Sequence, residues 1–267
     1  MNGIVCPIDF SPSSLKALEF CVMLANHAKL KVLMYFTFTE QDFDQILETD
    51  HVGETLNARL AEINKRLESI KAEITKENEI EVAHKIDTGD FPNKFLEYLS
   101  ENTFEYLIMG TSGMGQKGTY MPGSNTVEVI KKYDGKILCV PENCVVQPLK
   151  KIVYASDLDR DDKYKLQDVL ALAAYFNSKI NVVHLAHKPN TELAEEILSF
   201  AQNDKLSYDC IGEVEDVAEG IESVVKQKNA ELLALFHKKR NIFAQLFHKS
   251  VTHQLAYYSN LPMLIIK

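Results

Sequence analysis

The densest chemistry in the sequence is GTSGMGQKGTYMPGSN, Gly110 to Asn125, which follows the apolar run Tyr106 to Met109 and leads into a segment of helical period. Its residues obey G-x2-G-x9-G-S through Gly110, Gly113, Gly123 and Ser124. A strand that passes through glycines into a helix start presents unpaired backbone N–H groups and the positive end of the helix dipole. Without Cβ atoms, phosphate oxygens can come close. Phosphate is the anion such a loop suits. Spacing alone equally allows a glycine-rich surface loop in which Ser124 only caps the helix. No GK[ST] follows, which excludes a Walker A loop, and the dinucleotide fingerprint would come after the first strand, not here.

Other residues offer less. There is no GxSxG nucleophile elbow, and no side chain stands out as a general base or nucleophile. His184, His187, His237, His248 and His253 lack the i, i+4 pair or the cysteine companions of a zinc site, so no metal site is expected. The run His237 to Arg240 could attract an anion but reads as a solvated loop. The five cysteines include no CxxC pair and read as buried free thiols.

The elements that must position the glycine loop are short apolar runs alternating with segments of helical period, the pattern of a parallel sheet covered by helices on both faces. The first half holds runs at Ile4 to Ile8, Val32 to Phe36, Ile80 to Ile86, Tyr106 to Met109 and Ile137 to Val140. After the first run, Ser11 and Pro12 supply an N-cap and a first-turn proline, and Leu15, Leu18, Val22 and Ala25 share one face. Further helices are expected within Gln41 to Glu77, at Phe91 to Glu101 and at Ser124 to Tyr133.

The second half repeats this grammar at Ile152 to Ala155, Ile180 to Leu185, Leu206 to Ile211, Leu232 to Phe236 and Met263 to Ile266. KIVYASDL lies over GIVCPIDF, placing Asp157 where Asp9 stands. Two domains are therefore expected, residues 1–146 and 147–267, with the seam in Glu142 to Lys150. Net charge is −9, which argues against a nucleic-acid partner. No apolar stretch is long enough for a membrane span, and the start shows no leader, so the expected location is the cytoplasm.

Together, PIDFSPSS at the end of the first strand and the G-x2-G-x9-G-S loop resemble the universal stress protein family, over the whole chain in two copies and more strongly in the first. The resemblance implies two flavodoxin-like domains of the adenine nucleotide alpha hydrolase-like type, each a five-stranded parallel sheet with helices on both faces. It implies a bound ATP or AMP, with Mg2+ an option alongside ATP. Carried over by position, Pro7, Ile8 and Asp9 end the first strand, with the aspartate facing ribose or base. Thr37 offers main-chain atoms to adenine. Met109, Gly110 and Gly113 line the inner phosphates, and Gly123, Ser124 and Asn125 receive the outer ones. Such a site would lie beyond the strands' carboxyl ends at the switch point of strand order. The residue-level alternative for Asp9 is a helix-entry cap acting on Ser11.

In the second copy Phe236, Lys239 and Lys249 stand over Gly110, Gly113 and Gly123, and only Ser250 keeps its type. Side chains would fill the space, and any positive φ there would cost a non-glycine residue about 1 kcal/mol or more. The expectation is one nucleotide per chain, in the first domain. Three functional readings remain: a nucleotide-binding sensor with an unidentified protein partner, a protein-interaction module with a vestigial pocket, and a weak ATPase or phosphotransferase. The family also implies that Ile137 to Val140 and Met263 to Ile266 pair within the chain as an intramolecular pseudo-dimer, with a homodimer as a further level of assembly.

Overall fold

The computed structural model describes residues 3–39, 56–111, 123–156, 162–185, 191–200, 205–212, 217–236 and 260–267. The chain divides into two compact units, Met1–Tyr133 and Asp134–Lys267. In the first, β1 (Gly3–Pro7), β2 (Lys31–Phe38), β3 (Val82–Thr88) and β4 (Tyr106–Gly110) run parallel in the order β3-β2-β1-β4. Helices α1 (Pro12–Ala28), α2 (Leu56–Glu77), α3 (Asn93–Glu101) and α4 (Ser124–Lys132) connect and cover them. The central strands are continuously apolar because both faces are covered: Ile4, Val5, Cys6 and Tyr106 to Ile108 are fully buried. After β3 the chain returns to the far side of β1, so strand order reverses between β1 and β4.

Helix α1 starts as its sequence dictates. Ser11 is the N-cap, its hydroxyl accepting the Ser14 N–H at 3.2 Å, and Pro12 occupies the first helical position. The buried face differs from the expected one. Leu15 is 38% exposed and Val22 only half-buried, whereas Ser13, Ser14, Ala17, Leu18, Cys21, Leu24 and Ala25 are buried. The helix is turned by about one residue from the most hydrophobic face, because Ser13, Ala17 and Cys21 are small enough for close approach to the sheet.

In the second unit, β6 (Lys151–Ala155), β7 (Lys179–Leu185), β8 (Leu206–Ile211), β9 (Leu232–Phe236) and β10 (Met263–Ile266) pair parallel in the order β10-β9-β6-β7-β8. Their described helices are α5 (Asp162–Phe176), α6 (Thr191–Phe200) and α7 (Val217–Lys228). This is the strand order of the first unit repeated. The last strand of the first repeat, β5 (Ile137–Val140), joins this unit by pairing antiparallel with β10, Leu138 opposite Leu264 and Cys139 opposite Met263. The pairing expected between these two runs is therefore present. The division at Tyr133 precedes the Glu142 to Lys150 seam because β5 is held by strand bonds to β10.

All five cysteines are free thiols, Cys210 half-buried and the others buried. Burial pushes the Cys139 thiol up to about 12, which leaves it a packing residue. Among the described residues, no helix is long and apolar enough to cross a membrane.

Leu264 is fully buried opposite Leu138, so Leu264→Ala should cost about 2–5 kcal/mol through lost contacts and a cavity. Val145, 71% exposed, is the control, and Val145→Ala should stay within about 0.5 kcal/mol. Urea denaturation followed by circular dichroism measures both; equal effects would contradict the β5–β10 packing.

Candidate functional site

The carboxyl ends of β1 and β4 flank the point where strand order reverses, the position at which open α/β sheets take ligands. On the β1 side, the Ile8 N–H donates to the Tyr35 carbonyl at 2.8 Å, keeping the chain in register just past the strand. Asp9 follows, half-buried. Its Oδ1 accepts the Ser11 N–H at 2.9 Å and the Ser11 hydroxyl at 2.5 Å, and its own N–H donates to Ser14 Oγ at 3.3 Å. Asp9 is thus the helix-entry cap named above as the alternative, with Oδ2 taking no partner among the described residues.

Between Asp9 and Ser11, Phe10 holds φ at 62°, the left-handed region. A bulky residue there is uncommon and costs about 1–2 kcal/mol. The surroundings supply the compensation: Phe10 is 7% exposed, its ring lies 5.2 Å from that of Phe36, and the Arg66 guanidinium sits 4.1 Å above it. Strain is thereby built into the turn that aims Asp9.

On the β4 side, Met109 is buried and Gly110 ends the strand. The reason for glycine at 110 is intramolecular. A Cβ there would lie 2.8 Å from the backbone carbonyl of Ser13 and closer still to its hydroxyl, so the first turn of α1 occupies the space that a side chain would need. This packing reason stands beside the expected place of Gly110 on the phosphate side of the site. Gly110 also holds α4: its carbonyl accepts the Thr126 hydroxyl at 3.1 Å, and the Gly123 N–H donates to the Thr111 carbonyl at 2.6 Å.

Gly123 is the N-cap of α4, and Ser124 is its first helical residue rather than the cap. Ser124 and Asn125 are exposed, while Gly123 and Thr126 are buried. The first turn of a nine-residue helix therefore faces outward, its N–H groups directed along the dipole. Gly123 has φ −58° and ψ 160°, a conformation open to any residue, and the described glycine with positive φ is Gly89. The expected backbone penalty in the second copy thus does not apply at the positions of Gly110 and Gly123, and the steric difference remains. Gly113 lies outside the described residues, as do Asp157, Lys239, Lys249, Ser250 and every histidine named above except His184. His184 Nδ1 lies 3.0 Å from the Ser156 carbonyl oxygen, the bond of a structural histidine.

Thr37 stands near the end of β2, on the other side of β1 from β4, paired with Asp87. Beside it is a cluster that sequence reasoning missed. The Tyr35 hydroxyl donates to Asp87 Oδ2 at 2.7 Å, Lys85 Nζ lies 2.8 Å from Asp87 Oδ1, and the Tyr35 and Tyr98 rings are 4.8 Å apart. Burial alone would raise the Asp87 carboxyl, but the bonds from Lys85 and Tyr35 and the lysine charge hold it below the usual carboxylate range. Burial and the bond to Asp87 push the Tyr35 hydroxyl well up. These groups tie β2, β3 and α3 together beneath Thr37. The period-2 positions Tyr35 and Thr37, Lys85 and Asp87, were the available signal, but strand register was needed to pair them.

In the second unit, Phe236 occupies the position of Gly110. Its half-buried ring meets Lys165 Nζ at 5.5 Å, and the same ammonium donates to the Lys267 carbonyl. Side chains of this unit's own elements thus stand at the end of β9.

The geometry has its counterpart in sequence: the model of the universal stress protein family matches residues 1–141 and 190–267. The chain belongs to the universal stress protein family. It is a universal stress protein with two units, and the matched segments leave out the opening of the second repeat. The crystal structure of a universal stress protein from Archaeoglobus fulgidus is similar over 100% of this chain and 96% of its own, with TM-score 0.71 and 14% identity. A functionally unknown protein from Pseudomonas aeruginosa is similar over 100% of this chain and 92% of its own, with TM-score 0.60 and 12% identity. The cytoplasmic domain of a prokaryotic cation chloride cotransporter is similar over 99% and 94%, with TM-score 0.56 and 10% identity. At these identities the likenesses bear on the fold. The chain has no match among the curated proteins.

Gly110→Ala should destabilise the first unit by about 1–3 kcal/mol through overpacking against α1. Adding Ser13→Gly should not restore stability, because the Ser13 carbonyl is itself 2.8 Å from the new carbon. Thermal unfolding of the two variants measures this, and a Gly110→Ala protein as stable as the parent would remove the packing role.

Proposed function

We propose that the first unit of this universal stress protein is an adenine nucleotide sensor, taking ATP or AMP at the β1/β4 switch point. The observation that carries this reading is the first turn of α4, with exposed Ser124 and Asn125, held at the end of β4 by the two hydrogen bonds from Gly123 and Thr126. Unpaired N–H groups at a helix N-terminus suit phosphate oxygens without a change of fold. In this reading Ser124 and Asn125 receive the outer phosphates. Met109 and Gly113 border the inner ones, Asp9 uses Oδ2 toward the ribose, and Thr37 offers main-chain atoms to adenine. Gly110 joins Met109 and Gly113 beside the inner phosphates and keeps α1 against β4. Binding alters a surface read by a protein partner. The second unit, with Phe236 and Lys165 at the end of β9, serves assembly or partner binding.

A second reading, a protein-interaction module without ligand, draws on two observations. Asp9 Oδ1 is already engaged by Ser11, and Gly110 has a packing reason for being glycine. Neither accounts for the exposed start of α4, so the nucleotide reading is preferred.

Titration calorimetry of ATP and AMP into the full chain should give one site per chain. Gly123→Lys should remove binding while leaving the far-UV circular dichroism unchanged, because φ at 123 suits any residue. Two equivalent sites, or a Gly123→Lys protein that binds like the parent, would contradict the proposal.

A further inference from the structure

Arg66 is placed differently from several ion-paired lysines of the first unit. Lys16, Lys71, Lys85 and Lys94 pair with Glu19, Glu68, Asp87 and Glu97. Arg66 has Glu62 one helical turn before it, the spacing and order that favour an ion pair on a helix. Its guanidinium lies instead 4.1 Å over the Phe10 ring, with no carboxylate in ion-pair distance among the described residues. The Phe10 ring is in turn 5.2 Å from Phe36. Phe10 is nearly buried and Arg66 exposed, so the stack has an inner face closed by aromatics and an outer face of guanidinium. It adjoins Asp9 on the β2 side of β1, whereas α4 follows β4 on the other side. The stack therefore stands where the base would lie and away from the phosphates.

We propose that Arg66 is a base-stacking residue of the first unit's site, its guanidinium receiving the purine ring on the face opposite Phe10. This rests on the nucleotide reading above and deepens it. A guanidinium is planar, weakly hydrated and stacks on π faces, which an ammonium does not reproduce. Phe10 holds it in place beforehand, so little side-chain freedom is lost on binding. The left-handed φ of Phe10 then has a use: it presents the ring to both Phe36 and Arg66.

The test is calorimetric titration of full-length parent, Arg66→Ala and Arg66→Lys proteins with ATP, AMP and inorganic tripolyphosphate. Stacking predicts that Arg66→Ala weakens ATP and AMP by the same factor, about tenfold, with tripolyphosphate binding and melting temperature unchanged. Arg66→Lys should be nearly as weak as Arg66→Ala. A larger loss for ATP than for AMP would assign Arg66 to phosphate and overturn the proposal. Unchanged affinity in Arg66→Ala, or full affinity in Arg66→Lys, would overturn it as well. A parent protein that binds neither nucleotide would overturn the nucleotide reading itself, and this inference with it.

Discussion

The first turn of α1 lies so close to the end of β4 that no side chain fits at position 110, and the site follows from that contact. With Ser13 against Gly110, the β1–α1 turn is drawn across the strand ends. Asp9 is fixed through Ser11 and Ser14, and Phe10 is forced into the left-handed region between them. The other side of Gly110 anchors α4 through Thr126, so one backbone position sets the spacing of both helix starts that border the switch point. A close approach of backbone to backbone is rigid in a way that side-chain packing is not, which suits a site built from N–H groups.

The fold was legible because its signals are local. Buried parallel strands read as apolar runs, and Ser11 with Pro12 marks a helix start at the residue where it occurs. The repeat, read from Asp157 over Asp9, anticipated the duplicated strand order, and the family resemblance implied the pairing of β5 with β10. What the sequence did not disclose depends on distances between elements. The rotation of α1 follows from how closely small residues approach the sheet. Glycine at 110 read as room for a phosphate, and the contact with Ser13 that also requires it could not be read from spacing. The Phe10–Arg66 stack joins residues from a turn and a distant helix, and no spacing rule connects them.

The two repeats share strand order but diverge at the loop ends. In the first unit, small residues and backbone line the end of β4 and leave the start of α4 facing solvent. In the second, Phe236 and Lys165 meet at the end of β9. Duplication followed by such divergence is in keeping with the proposal that one copy binds a ligand and the other serves assembly. The strand pair β5–β10 needs only backbone and apolar side chains, so it is indifferent to what the loops become.

The central claim, that the start of α4 in the first unit receives phosphate, is tested most directly by following backbone amide resonances of the full chain as AMP is added. The account predicts saturable shifts at Ser124 and Asn125, with Ser250 in the second unit unmoved. Shifts at Ser250 matching those at Ser124, or none at Ser124 and Asn125 at saturating AMP, would contradict it.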